Sequence, residues 1–112
     1  MKMIKKGKIK KMNDYLKIIT YYGVNNQQRK LAEECFELQE AITEYELVSN
    51  NKVLFSDFYI GKCHEHIAEE LADVSLLLNQ FKHYYNISNE ELCKIMQAKI
   101  DRVFARIEKE NS

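Results

Sequence analysis

Apolar side chains recur at helical spacing along this chain, and few residues interrupt them. The pattern is clearest in one run whose apolar members stand three or four positions apart: Ile67, Leu71, Val74, Leu78, Phe81 and Tyr85. That spacing is typical of one face of an α-helix. Three Gly and no Pro occur in 112 residues, so helix-breaking residues are scarce. The sequence predicts an all-α fold.

Four helices fit the pattern of caps and breaks. Asn13 or Asp14 caps a short first helix that Gly23 ends, and Asn25 or Asn26 caps a second helix that reaches about residue 48. The aromatic segment 53–61 is a short helix or a loop.

The third helix begins near Gly61 or Lys62 and runs to about residue 85. Ser88 and Glu91 form a capping box for a fourth helix through Ile107. We expect a small helical bundle with two long central helices. Because a chain of this length has only a modest core, a second subunit is expected to complete it.

Charge separates the N-terminus from the rest of the chain. Residues 1–12 hold six of the seventeen basic residues and no acid, which leaves eleven basic against seventeen acidic residues, a net charge of −6, from residue 13 onward. We expect a flexible basic tail at 1–12 and a single helical domain at 13–112. An acidic body makes nucleic acid an improbable main partner.

Neither membrane insertion nor secretion is indicated. No apolar run approaches the roughly 18 residues of a membrane span, and the lysine-rich start lacks the apolar core of a signal peptide. Cys35, Cys63 and Cys93 form no CxxC pair, so no disulfide framework or zinc knuckle is predicted. A cytoplasmic protein is expected.

The acids of the second helix divide by angle. Its apolar arc is set by Leu31, Cys35, Leu38, Ile42 and Tyr45. At about 100° per residue, Glu34 lies at the edge of that arc and Glu37 one turn further on. Three other acids, Glu33, Glu40 and Glu44, fall far from the arc and are expected in solvent.

The third helix repeats the arrangement. Glu70 falls within its apolar arc and Asp73 borders it, whereas Glu69 points away. Two antiparallel helices packed by these faces would bring two carboxylate pairs together. Two unit charges about 6 Å apart repel by nearly 3 kcal/mol at an effective dielectric of about 20. The quartet must therefore bind cations or keep protons, unless Lys or Arg from another helix pairs with it. Oxygen ligands favour Mg²⁺, with Mn²⁺ as an alternative.

These residues resemble a known family. The motif EECFE at 33–37 followed by ELAD at 70–73 is similar to the EExxE…ExxD signature of MazG-like nucleoside triphosphate pyrophosphohydrolases. The resemblance extends from about Gln27 to Arg106, with QQRKL before the first motif, an apolar stretch ending at Asn79 after the second, and QAKIDR in the fourth helix. Gln97 stands there where the family commonly has Asn.

The resemblance implies an all-α enzyme that cleaves a nucleoside triphosphate between its α and β phosphates. It implies Mg²⁺ ligands at Glu34, Glu37, Glu70 and Asp73. It also implies a homodimer or homotetramer with sites near subunit contacts.

Further roles follow from the same chemistry. Glu33 or Glu37 would act as the base for the attacking water. Substrate contacts are expected from three polar residues, Asn79, Lys99 and Arg102. The base would stack on an aromatic side chain, with four candidates: Phe36, Tyr45, Phe58 and Tyr59.

Other readings explain less of the sequence. A ferritin-like di-iron centre needs Glu-x-x-His, which is absent, and alternate residues of CHEH at 63–66 diverge on a helix, so His66 is better placed to line the acidic site. Two alternatives stay open. One is a non-enzymatic helical interaction module, and the other is a phosphoribosyl-ATP pyrophosphatase with the same metal chemistry.

Overall fold

The computed structural model describes residues 14–112, and this part of the chain is all-α. It contains four helices and no strand: α1 at 14–22, α2 at Val24–Ser49, α3 at Asp57–Tyr84 and α4 at Asn89–Glu110. The predicted fold class and the two long central helices are confirmed. The basic tail and the proposed cap at Asn13 lie outside the described residues.

A single residue joins α1 to α2. Gly23 has φ +88°, a conformation that suits a residue without a Cβ atom. Its N–H donates to the Ile19 carbonyl at 2.8 Å, and its carbonyl accepts from the Gln27 N–H at 3.0 Å. The predicted stop at Gly23 is confirmed, but the predicted cap at Asn25 or Asn26 was wrong, because Gly23 occupies the N-cap position of α2.

The third helix begins at Asp57, four or five residues before its predicted start at Gly61 or Lys62. The Ser56 side chain accepts a hydrogen bond from the Tyr59 N–H at 3.1 Å, and Asp57 places a negative charge in the first turn. Both features stabilise a helix N-terminus. The aromatic segment is thus a short turn followed by the first turn of α3.

The predicted cap of α4 at Ser88 is present, through the first of the two hydrogen bonds of a capping box. The Ser88 hydroxyl accepts from the Glu91 N–H at 3.1 Å, and the helix continues three residues past Ile107 to Glu110.

Helices α2 and α3 form an antiparallel hairpin. The amide of Gln27, near the start of α2, bonds to Gln80, near the end of α3, at 2.8 Å. At the opposite end the Tyr59 hydroxyl donates to Glu44 at 2.7 Å. Helix α1 lies at the Gln27 end, where the Tyr15 ring stacks on His83. The buried apolar residues are few: Ile19, Ala41, Val48, Cys63, Val74 and Leu77.

Helix α4 packs against neither α2 nor α3. None of its residues is buried, although it carries a row of large apolar side chains: Leu92, Ile95, Met96, Ile100, Val103, Phe104 and Ile107. Within residues 14–112 no helix has the length and apolar character needed to cross a membrane.

Candidate functional site

Three carboxylates converge between α2 and α3. Glu34, Glu70 and Asp73 each place one oxygen so that the three atoms lie within 4.8 Å of one another. Glu34 is 9% exposed and Glu70 is 8% exposed, as the helical angles predict. In the part of the chain that the structure describes, no other group of three acidic, His or Cys side chains is placed to share an ion.

The two buried acids are incompletely paired. Glu34 Oε1 lies 3.6 Å from the Lys30 ammonium, and Glu70 Oε1 lies 3.1 Å from Nε2 of His66. The second oxygen of each, Oε2, is buried without a hydrogen-bond partner among residues 14–112. A buried carboxylate oxygen without a partner is costly, so these atoms require a proton or a ligand.

Burial raises the pKa of the Glu34 carboxyl group above its ordinary value of 4.5, and the adjacent charges of Glu37 and Asp73 raise it further. The Lys30 ammonium acts in the opposite direction. One cation at 3.6 Å therefore does not compensate for burial and two neighbouring acids. The alternative that Lys or Arg neutralises the cluster accounts for only part of its charge.

The remaining acids of α2 occupy different surroundings. Glu37 is exposed and close enough to Glu34 to act on its pKa, but it lies outside the three-oxygen group. Glu33 and Glu40 are exposed, as predicted. Glu44 is half-buried rather than fully solvated, because it accepts the Tyr59 hydroxyl. That hydrogen bond raises the pKa of Tyr59 to about 12.

The predicted substrate-binding residues are not gathered at the acids. Asn79 donates to the Ser75 carbonyl at 3.0 Å on its own helix. Lys99 and Arg102 are exposed on α4, which does not pack against the hairpin, so one copy of the chain does not bring them to the cluster.

A groove of about 460 Å³ adjoins the acids, between α1 and the α2–α3 hairpin. Its lining combines apolar and aromatic side chains, two amides, one ammonium group and two carboxylates. The residues are Ile18, Tyr22, Leu76, Leu77, Gln27, Gln80, Lys30, Glu34 and Asp73. None of the four aromatic residues predicted to hold a base, Phe36, Tyr45, Phe58 and Tyr59, lines it.

Sequence reasoning missed Tyr22, Lys30 and Gln80. Lys30 and Gln80 carried a detectable signal, because each lies on the helical face that also carries an acid of the cluster, four residues before Glu34 and seven after Asp73. Tyr22 carried none, since it reaches the groove only through the docking of α1.

The donor set suits a hard divalent cation. All three converging groups are carboxylates, and oxygen ligands fit Mg²⁺ or Mn²⁺ better than they fit zinc. The two orphaned oxygens supply buried ligand positions. The two histidines of the CHEH segment have different surroundings. The imidazole of His64 lies edge-on to Tyr45. His66 hydrogen-bonds to Glu70, which agrees with its predicted position beside the acidic site.

Comparison of the chain with protein-family models, curated proteins and solved structures found no match.

Proposed function

We propose that this chain is a cytoplasmic Mg²⁺-dependent nucleoside triphosphate pyrophosphohydrolase, which cleaves between the α and β phosphates to give a nucleoside monophosphate and pyrophosphate. The observation that carries the proposal is the convergence of Glu34, Glu70 and Asp73 from two helices, with one buried oxygen on Glu34 and one on Glu70 left without a hydrogen-bond partner among the described residues. They occupy the acidic positions of the EExxE and ExxD motifs.

The acids supply the metal-binding part of the reaction. Glu34, Glu70 and Asp73 would hold Mg²⁺, with the exposed Glu37 as an additional ligand. Bound Mg²⁺ would neutralise charge on the phosphates and on the leaving pyrophosphate. Without it, three carboxylates would repel a polyphosphate chain.

The neighbouring residues have separate roles. We assign proton transfer from water to Glu37 rather than to Glu33, because Glu37 and not Glu33 is among the groups that act on the pKa of Glu34. Lys30 is the one basic side chain that lines the groove within residues 14–112. It is thus a better phosphate contact within one chain than Lys99 or Arg102.

The active form in this proposal is a homodimer or homotetramer. Helix α4 leaves a row of apolar side chains in solvent, and the hairpin leaves its own, including Phe36, Ile42, Leu71 and Leu78. Two copies could cover both surfaces, because burying apolar area is the main driving force for association. Such an assembly is also the route by which Lys99 and Arg102 could reach the acids of a neighbouring copy.

The decisive experiment measures pyrophosphate release with Mg²⁺ across a panel of normal, deoxy and modified nucleoside triphosphates, with phosphoribosyl-ATP included. Glu70→Gln should abolish activity, whereas Glu69→Gln, an identical change at the adjacent exposed position, should keep it. Equal activity in Glu70→Gln and the wild type would overturn the proposal. So would the absence of release from every nucleotide.

The exposed apolar face of α4 favours one rival, a non-enzymatic helical interaction module. That function requires neither a metal nor the charge of Glu70. Binding of Mg²⁺ that depends on Glu70, measured by isothermal titration, would speak against it.

A further inference from the structure

The floor of the groove holds two glutamines that bond to each other. The Nε2 group of Gln27 donates to Oε1 of Gln80 at 2.8 Å. Gln27 is 3% exposed and Gln80 is 1% exposed, yet both line the groove. Among residues 14–112, the Gln27 oxygen and the Gln80 nitrogen have no further partner. One acceptor and one donor are therefore available on adjoining amides.

This amide pair still offers one free donor and one free acceptor when the direction of its hydrogen bond reverses. If both amide groups turn over, Gln80 donates to Gln27, and the free atoms become a nitrogen on Gln27 and an oxygen on Gln80. One donor and one acceptor remain, but their order is exchanged.

The surroundings match a flat heterocycle joined to an anionic chain. Ile18, Leu76 and Leu77 supply apolar walls, and the half-exposed ring of Tyr22 supplies an aromatic face. The same lining carries the Lys30 ammonium and two acids of the cluster, Glu34 and Asp73. The volume falls in the range of small-molecule sites, about 300–1,000 Å³.

We propose that this groove binds the base of the nucleotide, and that the Gln27–Gln80 amide pair accepts amino and keto bases alike. Cytosine presents a donor beside an acceptor on its pairing edge, and uracil presents the reverse order. A reversible amide pair satisfies both edges. The substrate class is thus defined by the presence of a base and not by its exocyclic group. The inference rests on the proposed pyrophosphohydrolase function and assigns that site its specificity.

The test compares kcat/KM for dCTP, dUTP and an abasic deoxyribose triphosphate. In the wild type the two base-bearing substrates should differ by less than about tenfold, and both should exceed the abasic substrate by more than that. A larger difference between dCTP and dUTP would overturn the permissive reading.

Variants of groove residues test whether the groove causes the preference for base-bearing substrates. Gln80→Met should lower kcat/KM for dCTP and dUTP by about tenfold or more, mainly through a higher KM, and leave the abasic substrate unchanged. The control is Gln28→Met, which changes the exposed neighbour of Gln27 and should behave as the wild type. Loss of activity on all three substrates with Gln80→Met would contradict a role in base recognition.

A second pair guards against misfolding, because Gln80 is buried. Tyr22→Ala alters an exposed ring that lines the groove, and Tyr21→Ala alters the adjacent ring, which does not. Tyr22→Ala should lower kcat/KM for the base-bearing substrates by about tenfold. Tyr21→Ala should leave it unchanged. Hydrolysis that is absent in every protein overturns the proposed function. Hydrolysis that persists but ignores Gln80→Met and Tyr22→Ala overturns the base subsite alone.

Discussion

Glu70→Gln should stabilise the metal-free protein while removing its response to Mg²⁺. Two unit charges 4.8 Å apart repel by about 3.5 kcal/mol at an effective dielectric of about 20. Glu70 belongs to two of the three pairs in the cluster, so full ionisation would give about 7 kcal/mol. Burial of Glu34, which raises its pKa and disfavours its charged form, and solvent around the exposed Asp73 reduce this figure, and we expect a gain of about 1–3 kcal/mol in the free energy of unfolding.

Magnesium should reverse the order of stability. In EDTA, Glu70→Gln should melt about 4–24 °C above the wild type, since 1 kcal/mol shifts Tm by about 4–8 °C in a small domain. At a Mg²⁺ concentration 100 times Kd, the wild type should gain about 2.7 kcal/mol and the variant little. Differential scanning calorimetry on both proteins, in EDTA and in Mg²⁺, measures the Tm difference between them and the change in Tm that Mg²⁺ causes in each.

Glu69→Gln provides the matched control, since it removes the same charge from the exposed side of the same helix. It should melt with the wild type in both buffers. The reasoning fails if Glu70→Gln is less stable than the wild type in EDTA, or if Mg²⁺ raises the Tm of both proteins equally.

Three further predictions concern protonation, assembly and folding. Burial raises the pKa of Glu34 above its ordinary value of 4.5. The stability that Glu34 contributes to the metal-free protein is therefore complete below about pH 4.5 and is lost as the pH rises through the raised pKa. Thermal melts from pH 4 to 8 should show this loss of stability, and Mg²⁺ should oppose it. Phe104→Glu, on the exposed face of α4, should dissociate the proposed oligomer in analytical ultracentrifugation; a sedimentation coefficient equal to that of the wild type would show that α4 forms no contact between copies. Ser88→Ala deletes the cap of α4 and should cost about 1 kcal/mol in urea unfolding; a change below about 0.3 kcal/mol would show that α4 does not depend on its cap.

The buried acids were predictable because helical geometry is local. Once a run of residues is helical, the 100° step decides whether Glu34 and Glu70 face the core. Their proximity needed the further assumption that the two helices pack antiparallel, which holds. The predicted apolar faces pack only in part, because Ile42, Leu71 and Leu78 are exposed. The cap at Ser88 was equally local, since its hydroxyl bonds to a residue three positions away.

The groove was not predictable in this way. Tyr22, Gln27 and Gln80 come from three helices, and their meeting depends on where α1 docks. Helix α4 presents a related difficulty, because an amphipathic helix carries the same apolar stripe whether it packs within its own chain or against another. The early start of α3 was missed because the aromatic residues after Ser56 show no helical periodicity, although the Ser-Asp cap signal was present.

The one-residue connection at Gly23 makes the groove sensitive to chain length. With no other residue between α1 and α2, the rotational phase of α1 is set by the number of residues before that glycine. A residue inserted between Tyr22 and Gly23 would turn α1 by about 100° and move Thr20 into the buried position of Ile19. The wall that carries Ile18 and Tyr22 should therefore tolerate substitutions more readily than insertions or deletions.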